Sequence, residues 1–339
     1  MLSQENFGIK NCNLKSKSDI EESIRKAVLA NINDIEILDL IYQTNDVAIY
    51  KFKFRNKNSL KIFTTKCRKN GQNKIKNRKY GLSSELSIHK KLKHNNIINL
   101  HGYYDLSSFS GTICDFYQYG DLHKFQKSFL KKRFLSETFL CYLAKQIIEA
   151  IKYIHKNKIL HLDIKQNNIL INDYLQFKLI DFSISLDYKN KQYIDLPRSG
   201  TFGHMSPEVI NRETIKAKDA SKIDIFSFGV LLYYSAFGEL PYDLDNVNEN
   251  NYHKMAENIK NNELKFPNDI KVSNMFKSFL KKCLEKNIEN RYDIYDIVND
   301  DWIKGSEIIK DYKECLCNTN IFLIDIIMDN ILDFNLYIK

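Results

Sequence analysis

The sequence predicts an α+β chain in two parts, a small β-rich lobe followed by a larger helical lobe. Three observations carry that reading. From Ile37 to about Phe63 apolar and polar residues alternate, and β-branched and aromatic types dominate, as in half-buried strands. After Gly120 the apolar spacing changes to three and four residues, the period of an amphipathic helix. Between the first long helical run and the later ones lie two short apolar runs, KILHLDI and FKLIDFSI, bounded by polar residues.

Residues 1–36 read as an extension with one helix, because Ser18 and Glu21 form a capping-box pair ahead of Ile20, Ile24, Ala27 and Val28 on one face. IEILDLIYQ, VAIYKFKF and SLKIFTT then read as three antiparallel strands with a turn at RNKN. Residues 82–93 predict a helix, and Ile97 to Leu100 and Thr112 to Phe116 supply further strand-like runs. A connector near Asp115 to Gly120 leads into SETFLCYLAKQIIEAIKYIHKN, a helix with Ser136 as its cap. Asp219 to Phe237, Tyr252 to Asn261, Met275 to Glu285 and Asp293 to Val298 are helical by the same periodicity. The divisions are therefore 1–36, a domain over 37–303 (β-rich lobe 37–115, helical lobe 116–303) and a tail over 304–339. The tail's apolar stretch from Ile321 to Leu332 reads as a helix docked on the domain, with a partner-binding or membrane-surface segment as the alternative.

An apolar fraction of 43% over 339 residues suffices for a substantial core. Seven scattered cysteines, without a C-x-x-C pair or histidines at zinc spacing, suit a reducing compartment. The opening MLSQENFGIK shows no secretory pattern, and no run approaches the ~20 apolar residues that cross a bilayer, so an intracellular, cytoplasmic setting is expected. A net charge of +9 spread along the chain reads as a solvated basic surface and not as a specific nucleic-acid site. The densest basic run, Lys66 to Lys79, reads as a loop.

The chemistry concentrates in HLDIKQNNIL, residues 161–170. Phosphoryl transfer needs a carboxylate to orient a hydroxyl and take its proton, a cation beside the moving phosphate, and an oxygen ligand for magnesium. Asp163, Lys165 and Asn168 supply those three groups in turn, although such a trio standing alone would read as an exposed polar loop.

The chain resembles the eukaryotic-type protein kinase family. HLDIKQNNIL is similar to its catalytic loop, with Leu162 where the family has arginine; LIDFSIS is similar to the DFG segment, with Ser183 in the glycine's place. MSPE at 205–208 resembles the APE motif, DIFSFG at 224–229 a following helix start, and Arg291 the arginine that pairs with the APE glutamate, here Glu208. These motifs stand in family order over about 130 residues. The resemblance implies a bilobal protein-kinase-like fold and ATP and Mg2+ as nucleotide and metal. It further implies protein substrates, Asp163 as catalytic base, and Asn168 and Asp181 as metal ligands in a cleft between the lobes. Lys165 and Thr201 resemble the serine/threonine type, in which the threonine bonds to the catalytic aspartate and lysine. No particular oligomeric state follows.

In the β-rich lobe Glu85 resembles the helix glutamate that pairs with an ATP-contacting strand lysine. Two lysines compete for that role, Lys66 in FTTK, nineteen residues before Glu85, and Lys61 in SLKIF; Lys66 leaves the more normal hairpin after Ile49. Ile49 stands at the valine that covers the base, Cys114 at the gatekeeper, and backbone groups of Asp115 and Tyr117 face the base. Asp121 reads either as a ribose or substrate contact or as a helix cap. His161 and Phe182 resemble members of the apolar stack that aligns the lobes.

The largest departure is the phosphate-covering loop, where Tyr42, Thr44 and Val47 replace glycines and no glycine occurs between Gly8 and Gly71. Glycine lets backbone N–H groups approach phosphate closely, so this change predicts a reshaped, looser grip on ATP. Leu162 predicts that no arginine there reads a phosphate on the activation segment, where Ser183, Ser185, Tyr188, Tyr193 and Ser199 are available. Retention of Asp163, Lys165, Asn168, Asp181 and Glu85 favours an active kinase. The glycine-free loop favours the alternative, a pseudokinase acting as scaffold or allosteric partner.

Overall fold

The computed structural model describes residues 34–44, 47–56, 59–69, 82–105, 109–129, 134–172, 174–242, 244 and 251–305. The helix expected within residues 1–36 and the apolar stretch of the tail lie outside them. The chain divides into two compact units, Met1–Leu86 with Asn99–Phe116, and Ser87–Ile98 with Tyr117–Lys339.

The first unit is a five-stranded antiparallel sheet in the order β1-β2-β3-β5-β4, built from β1 (Asp34–Gln43), β2 (Val47–Asn56), β3 (Ser59–Lys69), β4 (Leu100–Asp105) and β5 (Phe109–Asp115). The alternation read from the sequence reappears as burial: Ala48 and Phe52 on β2, Thr65 on β3 and Ile113 on β5 are all buried. Register shifts in β1 between Ile37 and Asp39 and between Leu40 and Tyr42 break its alternation and leave Leu40, Ile41 and Tyr42 exposed. Residues 66–69, expected to open a basic loop, instead extend β3, because they pair residue by residue with β2 and β5. A glycine fixes one detail that matters for the site. At Gly111 a side chain would collide with the Tyr104 ring at 2.3 Å and the Lys66 carbonyl at 2.8 Å. Its absence lets Tyr104 reach across and pair its hydroxyl with Thr65 Oγ1 at 2.9 Å, securing β3 one residue from Lys66.

The helix expected over residues 82–93 is α1 (Leu82–His89), and its first half belongs to the sheet unit. It stops early because the chain tightens into turn bonds, Lys91 N–H to Ile88 O and Leu92 N–H to His89 O. The run expected from Ile97 contributes only an isolated bridge between Ile97 and Leu179 before β4 begins.

The second unit is helical. Its core is built on α3 (Glu137–Lys156) and α5 (Ser221–Phe237), with α2 (Leu122–Phe129), α4 (Pro207–Asn211), α6 (Tyr252–Asn261), α7 (Asn274–Cys283), α8 (Ile294–Asn299) and α9 (Asp301–Lys304) around them. Ser136 caps α3 as read from the sequence, its Oγ accepting from Phe139 N–H at 3.3 Å. The expected helix from Asp219 begins at Ser221, since Ala217–Asp219 is wound as a tighter 3-10 turn. The two short apolar runs become small ribbons: β6 (Ile159–Leu160) pairs with β9 (Leu186–Asp187), and β7 (Ile169–Ile171) with β8 (Phe177–Leu179). A third ribbon pairs β10 (Tyr193–Asp195) with β11 (Thr214–Lys216). Among the described residues no helix is long and apolar enough to cross a membrane.

Candidate active site

In the helical unit the loop 161–168 hangs between β6 and β7, and one buried carboxylate shapes it. Asp224, at the start of α5, accepts the N–H groups of His161 and Leu162 at 2.9 Å each and the His155 Nε2 hydrogen bond at 2.8 Å. Burial alone would push the Asp224 carboxyl up, but the hydrogen bond from His155 and the positive potential of His155 and His161 hold it below its ordinary value. This capping secures Leu162 at a φ of 67°, a left-handed conformation that L-residues adopt at a penalty of about 1–2 kcal/mol. Gly200 presses on the same turn: its φ of 126° and a Cβ position 2.6 Å from the Leu162 carbonyl admit no side chain. Neither Asp224 nor His155 was singled out by sequence reasoning. Asp224 was visible only as the first letter of DIFSFG, and a lone histidine in α3 gives no signal of its partner.

The hairpin register brings the metal candidates together. Ile169 pairs with Leu179, so Asn168 lies opposite Ile180, whose N–H donates to Asn168 O at 3.0 Å, and Asp181 follows directly. Asp181 is also left-handed, at a φ of 67°, and its Oδ1 accepts from Ser183 N–H at 3.3 Å. Ser183 itself is not among the left-handed residues, so the serine in the glycine's place introduces no backbone strain. Phe182 is fully buried between histidine rings, 5.1 Å from His161 edge-on and 5.4 Å from His89. His161 and Phe182 therefore do stack. His89, third in the stack and tied by Nε2 to Ile98 O at 2.8 Å, was not foreseen.

Asp163, Lys165, Asn168 and Thr201 form one hydrogen-bonded group. Asn168 Nδ2 donates to Asp163 Oδ2 at 2.8 Å and to Asp163 O at 2.7 Å. Lys165 Nζ lies 2.9 Å from Asp163 Oδ2 and donates to Thr201 Oγ1 at 2.5 Å, and Thr201 Oγ1 donates to Asp163 Oδ1 at 2.6 Å. Burial would raise the Asp163 carboxyl, but the Lys165 charge and the hydrogen bonds from Thr201 and Lys165 outweigh it and hold Asp163 ionised below its usual range. Nearby, burial pushes His204 down to about 4, so its imidazole is neutral. Because Asn168 spends its amide N–H groups on Asp163, its amide oxygen is the atom suited to a cation, and the hairpin sets its backbone one residue from that of Asp181. Among the described residues no cluster of three or more His, Cys, Asp or Glu could hold a metal alone. That donor set fits magnesium, which binds through one or two protein groups and completes its shell with phosphate oxygens and water.

In the sheet unit Lys66 Nζ lies 3.5 Å from Glu85 Oε1, and the glutamate is buried. Lys61 pairs with Phe54, five positions back along β3, and its side chain lies outside the description. Of the two lysines, the ion pair with Glu85 is described for Lys66. Ile49 pairs with Lys66 across β2 and β3, placing both on one face. Cys114, near the end of β5, is buried, and burial raises its thiol to about 12, the state of an inert core cysteine. Asp115 is braced from below by His101 Nε2 at 2.6 Å and Asn99 Nδ2 at 2.9 Å. Tyr117 opens the helical unit, and its carbonyl accepts from Gly120 N–H at 3.1 Å. Asp121 caps α2, its Oδ1 accepting from Lys124 N–H at 2.9 Å, which favours the cap reading.

Two of the residues at the replaced glycines, Thr44 and Val47, bond to each other. Thr44 N–H donates to Val47 O at 2.8 Å, and Val47 N–H donates to Thr44 Oγ1 at 3.1 Å. Further along, Arg291 grips Glu208 as the motif order implied.

A sheet unit in which Lys66 pairs with buried Glu85, and a helical unit with the Asp163-Lys165-Asn168-Thr201 group, carry the motif order of the protein kinase class. Comparison with known families agrees: the protein kinase domain matches residues 49–303. The chain belongs to that family. It is similar to the mouse serine/threonine-protein kinase tousled-like 1, 29% identical over 65% of this chain and 30% of that protein. It is also similar to the Drosophila melanogaster serine/threonine-protein kinase polo, 29% identical over 68% of this chain and 38% of that one. A probable myosin light chain kinase of Dictyostelium discoideum is 28% identical over 81% of this chain and 54% of its own length. The chain thus spans about a third to a half of the curated relatives it matches.

Proposed function

We propose that this chain is an active serine/threonine protein kinase that transfers the γ-phosphate of ATP to protein hydroxyls, with residues 37–303 as the catalytic domain. The observation that carries this is the closed hydrogen-bond ring of Asp163, Lys165 and Thr201, with Asn168 on the same carboxylate. Asp163 orients the substrate hydroxyl and takes its proton as the new O–P bond forms and the bond to the β-phosphate oxygen breaks, releasing ADP. A carboxylate held this low is a weak base, so its first task is orientation and the proton moves late. Lys165 offsets charge on the transferred phosphoryl group, and Thr201 fixes both side chains. Asn168 and Asp181 would hold Mg2+, which supplies neutralisation of the triphosphate. Lys66, oriented by Glu85, would bind the phosphates. Ile49 and Cys114 would line the base, and backbone groups of Asp115 and Tyr117 would bind its edge. The three free, buried cysteines among the described residues, Cys114, Cys141 and Cys283, support a reducing, intracellular setting.

The second reading, a pseudokinase scaffold, is favoured by the Thr44–Val47 pair, whose N–H groups are taken up by the Val47 carbonyl and the Thr44 hydroxyl. Labelled ATP with magnesium and a general basic or acidic protein substrate separates the two. Transfer above that of an Asp163→Asn control is expected; transfer equal to the control removes the enzyme reading.

A further inference from the structure

Thr64 stands two residues before Lys66 on β3, so both side chains project from the same face of the sheet, while Thr65 between them turns to the opposite face and bonds Tyr104. Cross-strand pairing sets Thr64 against Cys114 on β5 and Phe63 against Asp115. The Thr64 hydroxyl reaches the last carbonyl of the neighbouring β5, its Oγ1 lying 3.4 Å from Asp115 O. That separation is beyond the ~2.5–3.0 Å of a well-formed O–H···O bond, so the hydroxyl is not committed to the carbonyl. A threonine hydroxyl is a rotor that donates one hydrogen bond and accepts others. Asp115 O is in turn held in place through its side chain by His101 and Asn99.

We infer that Thr64 is a specificity-determining residue for the nucleotide base, and that its hydroxyl lets this site take guanine as well as adenine; the inference rests on the nucleotide reading given above. A carbonyl alone discriminates strongly. It accepts from the adenine N6 amino group but faces the guanine O6 acceptor with like partial charge. A hydroxyl beside it changes that balance. With adenine it accepts from, or stands aside for, the amino group; with guanine it rotates to donate to O6. A chain with a purely aliphatic side chain at this position has no donor for O6, and a buried unpaired acceptor is rejected.

The test is displacement of a fluorescent adenine nucleotide from the full chain by ATP and by GTP, each with magnesium, in wild type, Thr64→Val and Thr64→Ser. Valine keeps the shape and removes the hydroxyl; serine keeps the hydroxyl. The expected result is a GTP-to-ATP affinity ratio that falls by about tenfold or more in Thr64→Val and not in Thr64→Ser, a size set by one lost hydrogen bond to a buried acceptor. An unchanged ratio in the valine variant, or an equal fall in both variants, overturns the assignment while leaving the kinase reading intact. Binding of neither purine by wild type overturns the nucleotide reading and this inference with it.

Discussion

Arg291 grips Glu208 with both branches of its guanidinium, Nη2 to Oε1 at 2.9 Å and Nη1 to Oε2 at 3.0 Å, and both side chains are buried. The same arginine donates to the carbonyls of Glu285, Lys222 and Lys286 and lies over the Phe226 ring. It therefore ties α4 to α5 and to the turn before α8. Removing the carboxylate strands a buried cation. Glu208→Ala is expected to lose about 3–5 kcal/mol of stability, nearer the low end because the carbonyl acceptors remain. Urea unfolding of the two proteins measures it, and a loss under about 1 kcal/mol would contradict the buried geometry.

Lys66 and Lys61 are separable by substitution. Lys66→Met removes the partner of buried Glu85 and the proposed phosphate cation together, so phosphate transfer should fall by about a hundredfold or more. Lys61→Met, an odd five positions back along β3 and so on the other face of the strand from Lys66, should leave transfer within about threefold of wild type. Rates measured side by side decide, and the reverse ranking would exchange their roles.

On the proposed reading, Asp163 sets the acid limb of the rate. Its folded-state pKa is lowered, so its contribution to stability is present above the ordinary carboxylate value and is lost as pH falls through the folded value. Transfer should therefore show no loss from this group until the pH is below the usual carboxylate range. Lys165→Ala removes the charge that holds the carboxyl down, and its acid limb should move upward while the overall rate falls by about 10²–10⁴-fold. A pH–rate profile with the wild-type limb unmoved would show that Lys165 does not set the ionisation of Asp163.

The grouping of the candidate site's helical-unit residues was legible because its spacing is local. Asp163, Lys165 and Asn168 lie within one loop, and the β7–β8 hairpin returns the chain to Asp181 without a long-range decision. What sequence could not show were partners supplied from distant helices. Asp224 shapes the Leu162 turn from α5, and His155 reaches Asp224 from α3; neither contact has a periodicity or a spacing. The Lys66-or-Lys61 ambiguity had a similar source. Both lysines sit in an apolar-alternating run, and the Lys66 contact with Glu85 is made across nineteen residues by a helix the strand pattern does not position. Element ends drifted where turns replaced helix, as at His89 and Ser221.

The closed β1–β2 turn leads to a prediction about metal. In a glycine-rich loop, backbone N–H groups are left to meet phosphate oxygens. Here Thr44 N–H and Val47 N–H are both bonded within the turn, at 2.8 Å and 3.1 Å. With those donors committed, the negative charge of a bound triphosphate is left, on the proposed reading, to the cations Lys66 and magnesium. Chelating magnesium should then weaken ATP by about tenfold or more while leaving adenosine, which has no phosphates to neutralise, within about twofold. Displacement titrations with and without EDTA measure both. Equal effects on the two ligands would mean that phosphate recognition does not run through the metal, and that the turn opens to release its amides when nucleotide binds.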